Sequence, residues 1–376
     1  MTLRSRVLRA TSQLCERRAW VRDALVRVDG AVDRLRHGVA RTFPQVIRAD
    51  PRSLFISLTA RCNFRCQGCH YGRDFMEGRQ LPFPLVRDLL DDAKTIGFDK
   101  VRLYGGEPLL HSRLPEIVEH ATRLGLRFWL TTNGLLLRRQ IDGLFDAGLR
   151  QVTLGFYGIG AAYDAYVQRE RAFVRVEDGI AYSRRRYGLR LSLALDWVLM
   201  RPTCSRSALT ELKTFARAYR LPIHVNLIHY SLPYFLRDDE DDASKLHFRP
   251  EDRPAVEAAV SELLAFKAAH PELVPQSAVA LRSIPDWITK GPAMRVPCDR
   301  YRLIWVGPDG TVQLCYVTFK LGNLHGTRLR DLVFTKAHEK ASRDAFSLNC
   351  PNCHCGYDKR VLSHGPTRRL YLQPRS

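Results

Sequence analysis

The sequence predicts an α/β chain built on an open, partial (β/α)6 barrel of the TIM-like kind. A helical extension precedes the barrel and a small cluster-binding domain follows it. Two observations carry that expectation. From Ser53 onward, short apolar strands alternate with helical stretches, the pattern that lays down a parallel sheet with crossover helices. Ten cysteines fall mainly into two groups, three at 62–69 and five at 298–355, and not into the spread of a disulfide framework.

In residues 1–50, Leu14, Val21, Leu25, Val28, Val32, Leu35 and Val39 recur at three- and four-residue steps with Arg between them. That spacing predicts helices that pack their apolar stripe on the main domain. Membrane association through this N-terminal helix, or a partner-binding role, is the alternative the same stripe allows. The barrel core covers 51–235, with strands expected at 54–58, 101–104, 127–131, 151–156, 189–198 and 223–228, and helices at 85–96, 114–124 and 207–219. Six strands are too few to close an eight-stranded barrel. Ligands are expected at the C-terminal strand ends. Residues 236–297 read as a connecting segment, opening near the acidic run 237–243 and holding a helix near 254–269. The cluster domain, 298–360, carries a hairpin at 303–306 and 311–316 around Gly307-Pro308-Asp309-Gly310. The tail, 361–376, reads as basic and loose.

A formal charge of +20 suits nucleic acid, anionic lipid or an acidic substrate. No nucleic-acid motif accompanies it, so no specific nucleic-acid partner is expected and the charge reads as an Arg-rich solvated surface. No apolar run approaches the ~20 residues of a membrane span. The N-terminus lacks the apolar stretch and cleavage site of a signal peptide, and the chain reads as cytoplasmic. Cysteines in that setting point to metal or redox chemistry.

The run R-C-N-F-R-C-Q-G-C-H places Cys62, Cys66 and Cys69 at C-x3-C-x2-C in a loop after the first strand. A structural zinc ion needs four ligands, and His70 is the only neighbour able to complete the set. A [4Fe–4S] cluster with three cysteines keeps one iron open to a small molecule. Three further segments follow in order on the next strands: Gly105-Gly106-Glu107-Pro108, Thr132-Asn133-Gly134 and Gly155-Phe156-Tyr157-Gly158. This ordered set resembles the radical S-adenosylmethionine (SAM) enzymes over about 52–230.

The resemblance implies a [4Fe–4S] cluster on Cys62, Cys66 and Cys69 whose open iron is chelated by the methionine part of SAM. One electron, from a flavodoxin- or ferredoxin-type donor, then splits the sulfonium bond and yields a 5′-deoxyadenosyl radical. Gly105 and Gly106 would present backbone to the methionyl amine, because glycine has no Cβ in the way. Glu107 would accept nearby, Pro108 would fix the turn, and Asn133 would bind ribose or carboxylate. Two departures stand out. Gly68 sits where the family often has an aromatic residue, which leaves Phe64, His70 or Tyr71 to pack the adenine. Gly155 and Tyr157 stand where a Ser and an Asp often appear.

Cys298, Cys315, Cys350, Cys353 and Cys355 follow the pattern C-x11-G-x4-C, then C-x2-C-x-C. This resembles the twitch domain, a shortened SPASM domain, which implies an auxiliary [4Fe–4S] cluster. Cys298, Cys315, Cys350 and Cys353 are the expected ligands, with Cys355 able to replace either of the last two. Structural zinc is the alternative. Candidate substrate contacts are Asp196, His224, Asn226, His229, Tyr104 and Tyr157, with Cys204 as a candidate hydrogen-atom donor. The expected activity is an oxidoreductase-type hydrogen abstraction. It would lead to dehydrogenation or related tailoring of a small natural-product or sugar substrate. The alternatives are crosslinking or epimerisation of a ribosomal peptide and, from another class, a basic nucleic-acid-binding module with structural zinc.

Overall fold

In a computed structural model, the described residues are 19–98, 100–230, 235, 245–316 and 318–372, with side chains from Val28 onward. Six parallel strands run in sequence: β1 (Ser53–Ser57), β2 (Lys100–Tyr104), β3 (Phe128–Thr132), β4 (Gln151–Phe156), β5 (Ser192–Leu199) and β6 (Ile223–Leu227). Each crossover is helical. After α1 (Ala19–Ala40) come α2 (Phe83–Ile96), α3 (Leu114–Arg123), α4 (Leu137–Asp146), α5 (Gly160–Val167), α6 (Ala172–Tyr187) and α7 (Arg206–Tyr219). The sequence dictates these ends. In α2, a proline occupies the first turn and Val86, Leu89, Leu90 and Ala93 face the sheet. Gly97, left-handed at φ 89°, stops the helix with its N–H on the Ala93 carbonyl. Ser205 caps α7 by accepting from the Ala208 N–H at 3.2 Å.

Three more strands, β7 (Leu303–Val306), β8 (Thr311–Leu314) and β9 (Lys320–Asn323), extend the same sheet, giving the order β6-β5-β4-β3-β2-β1-β7-β8-β9. The sheet is open, as expected. The hairpin bearing the second cysteine group is therefore welded to the barrel: β7 lies parallel to β1, with Phe55 opposite Trp305. The intervening helices α8 (Arg253–Ala269), α9 (Ala278–Arg282) and α10 (Ile284–Lys290) and the later α11 (Leu329–Leu332), α12 (Lys336–Phe346), α13 (Tyr357–Ser363) and α14 (Gly365–Leu370) close the rest of the chain.

Several expectations change. The fifth strand starts at Ser192 and not at residue 189, because Gly188–Arg190 is a short 3-10 turn and Leu189 points to solvent. The hairpin ends at Leu314, since Cys315 turns left-handed at φ 60°. The tail is not loose through residue 372: α13 and α14 pack on the body, and buried Tyr371 donates its hydroxyl to Asp286 at 2.5 Å. The acidic run 237–243 lies outside the described residues.

The N-terminal helix reverses its expected face. Val28, Val32, Leu35 and Val39 are exposed, while Asp33, His37 and Ala40 are buried. Asp33 meets the Arg302 guanidinium with both oxygens, at 2.7 and 2.8 Å. Polar pairing therefore overrides the apolar stripe in fixing how α1 docks. Leu14, Val21 and Leu25 lie outside the residues whose side chains are described. Removing one partner of a buried ion pair strands the other charge, so Asp33→Ala is expected to cost about 3 kcal/mol in chemical denaturation of the apo chain. Val32→Ala, on the exposed side, should move stability by less than about 0.5 kcal/mol.

Candidate active site

The three-cysteine loop leaves β1 at its C-terminal end and is pinned by backbone. The N–H groups of Gly106 and Glu107 donate to the carbonyls of Thr59 and Arg61, both at 2.8 Å, and Ala60 N–H donates to Arg79 at 2.8 Å. This is why glycine stands at 105 and 106. A Cβ on Gly105 would lie 2.3 Å from the Thr59 carbonyl oxygen, and one on Gly106 would lie 2.4 Å from that of Ala60. The pair admits the loop's own backbone, a closer approach than any side chain permits. On the other side, the N–H groups of Arg65 and Gln67 reach the carbonyls of Val167 and Tyr166 at the end of α5, at 3.2 and 2.9 Å. Arg73 donates to the carbonyls of Cys66 and Cys69.

Glu107 is fully buried beneath this loop. Its carboxylate accepts from the Thr132 hydroxyl at 2.6 Å, the Asn133 N–H at 2.7 Å and the Leu109 N–H at 2.9 Å. It is thus a strut between the ends of β2 and β3. Pro108 begins the short 3-10 turn that follows. Asn133 spans back to the loop, donating to Asn63 Oδ1 at 2.6 Å and lying 3.9 Å from the Cys62 sulfur. Burial pushes the Cys66 and Cys69 thiols up, and at Cys66 the neighbouring sulfurs of Cys69 and Cys62 add to it. Three thiols gathered in one loop, with a fourth position left free of protein sulfur, are a donor set that fits an iron–sulfur cluster.

Each adenine-packing candidate has another partner. Phe64 packs edge-on against Tyr163, Tyr71 bonds Ser57 and leans on Phe75, and His70 pairs with Asp74 at 2.7 Å. None of the three lines the lumen, a cavity of about 1000 Å³ that Cys66 and Cys69 do line. Tyr157 folds back over Gly155, whose added Cβ would meet the Tyr157 hydroxyl at 2.7 Å, and stacks on Tyr166 at 4.4 Å. Both tyrosines line the cavity beside Cys66.

Sheet register then assembles the remaining groups. Gly155, Asp196 and His224 form one row across β4, β5 and β6, with Asn226 two residues beyond His224. All four line the cavity, as do Tyr104 and His229. Cys204 does not. It is buried against α8, with its thiol 3.5 Å from the Ala255 carbonyl, so the expected hydrogen-atom donor is a core residue outside the lumen.

Sequence reasoning missed Arg102. It sits in mid-lumen, donating to Thr131 at 2.8 Å and Tyr316 at 3.2 Å, with Asp196 at 3.5 Å and the rings of Tyr104 and Phe55 under its guanidinium at 4.8 and 5.3 Å. The signal was present: Arg102 is two residues from Tyr104 and shares its strand face. Arg300, two residues beyond Cys298, also lines the cavity.

The five C-terminal cysteines line one small cavity with Arg300 and Arg360. Left-handed backbone at Cys315, Phe319 and Asn352, at φ 60°, 65° and 52°, shapes its wall. Buried Arg360 ties the turn together through Asn352 at 3.0 Å and Val296 at 3.2 Å, and covers Trp287. Cys355 lines this cavity and the lumen alike, 3.7 Å from His229 Nδ1. Among the described residues, no three His, Cys, Asp or Glu side chains are grouped to hold a single metal ion. A zinc ion would need four to converge at about 2.0–2.3 Å.

Fold and site together define a partial-barrel enzyme with an open three-thiol cluster loop over a polar lumen. The pattern of the Radical SAM superfamily matches residues 56–192. The chain is 31% identical over 309 residues to GTP 3',8-cyclase of Mycobacterium marinum, covering 78% of this chain and 81% of that protein. It is 30% identical over 339 residues to GTP 3',8-cyclase 2 of Mycobacterium tuberculosis, with coverage of 85% and 86%. Among solved structures, anSMEcpe with bound AdoMet superposes with a TM-score of 0.62 at 16% identity, over 86% of this chain and 97% of that one. Streptococcus suis SuiB bound to precursor peptide SuiA gives 0.61 at 14% identity, over 88% and 75%. These two share the fold.

The chain belongs to the radical SAM superfamily. It is an enzyme that takes a [4Fe–4S] cluster and SAM and needs a substrate and a reductant, which sets aside the binding-module reading. Among the described residues, no helix is long and apolar enough to cross a membrane.

The buried Glu107 generates a pH dependence. Burial raises its carboxyl from 4.5 to about 7 against its three donors. The folded state therefore holds this proton more tightly than the unfolded chain does. Stability from this group is full below pH 4.5 and is lost as pH rises through about 7. The apo wild type should lose stability across that window relative to Glu107→Gln; equal slopes in denaturant titrations would contradict this.

Proposed function

We propose that this radical SAM enzyme takes an anionic organic substrate into the lumen between its two cysteine groups. We infer further that a purine nucleotide is that substrate, closed into a new ring as the mycobacterial relatives' name, GTP 3',8-cyclase, describes. One observation carries this reading. Among the described residues, the cavity wall near the cysteines carries two arginines, Arg102 and Arg300, against one carboxylate, Asp196, while Lys100, Arg127 and Arg150 stand exposed at the opposite, N-terminal mouth of the barrel. Such a lumen attracts a polyanion, and Phe55, Tyr104 and Trp129 offer aromatic faces for a base.

Cys62, Cys66 and Cys69 would hold the first cluster, which when bound supplies the electron that splits the SAM sulfonium bond. The electron donor is of flavodoxin or ferredoxin type. Gly105, Gly106, Glu107 and Asn133 keep the loop in place, and Tyr157 with Tyr166 walls the cavity next to it. Asp196, His224, Asn226 and His229 are positioned to orient substrate. Cys298, Cys315, Cys350 and Cys353 would hold an auxiliary [4Fe–4S] cluster in a twitch-like arrangement, with Cys355 as the alternative ligand.

That second thiol set favours a second reading. Four cysteine ligands would make the auxiliary cluster an electron acceptor, which suits two-electron dehydrogenation of a small sugar or natural product. Anaerobic assays with SAM and a chemical reductant separate the two. GTP should speed formation of 5′-deoxyadenosine, and Arg102→Ala should raise its KM at least about tenfold, the cost of a lost charged hydrogen bond. A rate indifferent to every nucleotide but raised by a neutral sugar would overturn the nucleotide assignment.

A further inference from the structure

Helix α1 is built inside out for a helix on a globular surface. Its inner face is polar: Asp33 grips Arg302, and His37 Nε2 lies 2.9 Å from Asp299, with its ring edge-on to Phe346 at 5.0 Å. Its outer face is apolar at steps of four, three and four residues, with Val28 59%, Val32 54%, Leu35 71% and Val39 41% exposed. The stripe continues past the helix end into exposed Phe43 and Val46. An isolated exposed Val or Leu is ordinary, but four at this spacing share one helix face, the pattern of an interaction surface.

The charges around the stripe say what covers it. The acids nearby are already occupied: Asp29 and Asp50 by Arg52, and Asp33 by Arg302. Arg34, Arg41 and Arg48 remain at the surface. An apolar stripe edged by arginine matches the interface of an anionic bilayer, where the stripe enters the acyl boundary and guanidinium groups meet phosphates.

We propose that α1 is a peripheral membrane anchor that docks this enzyme on anionic lipid through Val28, Val32, Leu35 and Val39. The polar inner face makes the docking compatible with the fold, because it already fixes the helix to the Cys298 turn through Asp299 and Arg302. Binding is reversible, since one short stripe with arginines gives a modest, salt-sensitive affinity. The proposal does not depend on which substrate the lumen takes.

Sedimentation of the full-length reconstituted enzyme with lipid vesicles tests it. The wild type should pellet with phosphatidylglycerol-containing vesicles, release in high salt, and stay in solution with pure phosphatidylcholine. Val32→Glu/Leu35→Glu should weaken pelleting at least about tenfold, and Arg34→Glu/Arg41→Glu should weaken it in anionic vesicles, with iron content and far-UV dichroism unchanged in both. No pelleting of the wild type, or pelleting that the Glu variants leave intact, would overturn it. So would a wild-type dimer that Val32→Glu/Leu35→Glu makes monomeric without any lipid binding, which would assign the face to a second copy of the chain.

Discussion

The site rests on a buried carboxylate. Glu107 takes one hydroxyl and two backbone N–H donors from the ends of β2 and β3, and its own N–H holds the cluster loop at Arg61. A carboxylate in that position is costly unless every oxygen is satisfied, and here a local donor, Leu109 N–H, is joined by Thr132 and Asn133 from the next strand end. The three thiols hang from the frame it braces. The glycines before it are needed because a Cβ would collide with the loop's carbonyls, so the short motif works as a backbone clasp as much as a ligand cradle.

A second constraint is the parallel pairing of β1 with β7. It makes the C-terminal cysteines part of the barrel wall, so that the lumen touches Cys66, Cys69 and Cys355 at once. Arg102 spans this space, touching Phe55 of β1, Tyr104 of β2, Thr131 of β3, Asp196 of β5 and Tyr316 just past the hairpin. A substrate there would lie between two thiol groups and beside two half-buried guanidiniums, Arg102 and Arg300. The N-terminal helix reinforces the same wall from outside, through the residues that follow Cys298.

The barrel was legible because apolar strands alternating with amphipathic helices leave few other ways to bury both. The cysteine spacing exposed the cluster loop, and the two-residue period placed His224 and Asn226 together. Contacts set by tertiary pairing were not legible. The stripe of α1 read as a packing face, since nothing local announces that Asp33 will find Arg302 across 269 positions of chain. Phe64 lies among the cysteines and Tyr71 just after them, yet their partners Tyr163 and Ser57 come from other segments, while His70 turns to nearby Asp74. For Cys204 the resemblance offered a hydrogen-atom donor and its small apolar character a core residue, and α8 covers it.

The central claim is that two separate thiol groups hold iron–sulfur chemistry on either side of one lumen. Iron, zinc and acid-labile sulfide should be counted per chain after anaerobic reconstitution, in the wild type and with Cys62, Cys66 and Cys69 all changed to Ala. About eight irons falling to about four, with matching sulfide, is the expected result for two [4Fe–4S] clusters. Zinc without sulfide in the wild type, or iron that the triple substitution leaves unchanged, would contradict it.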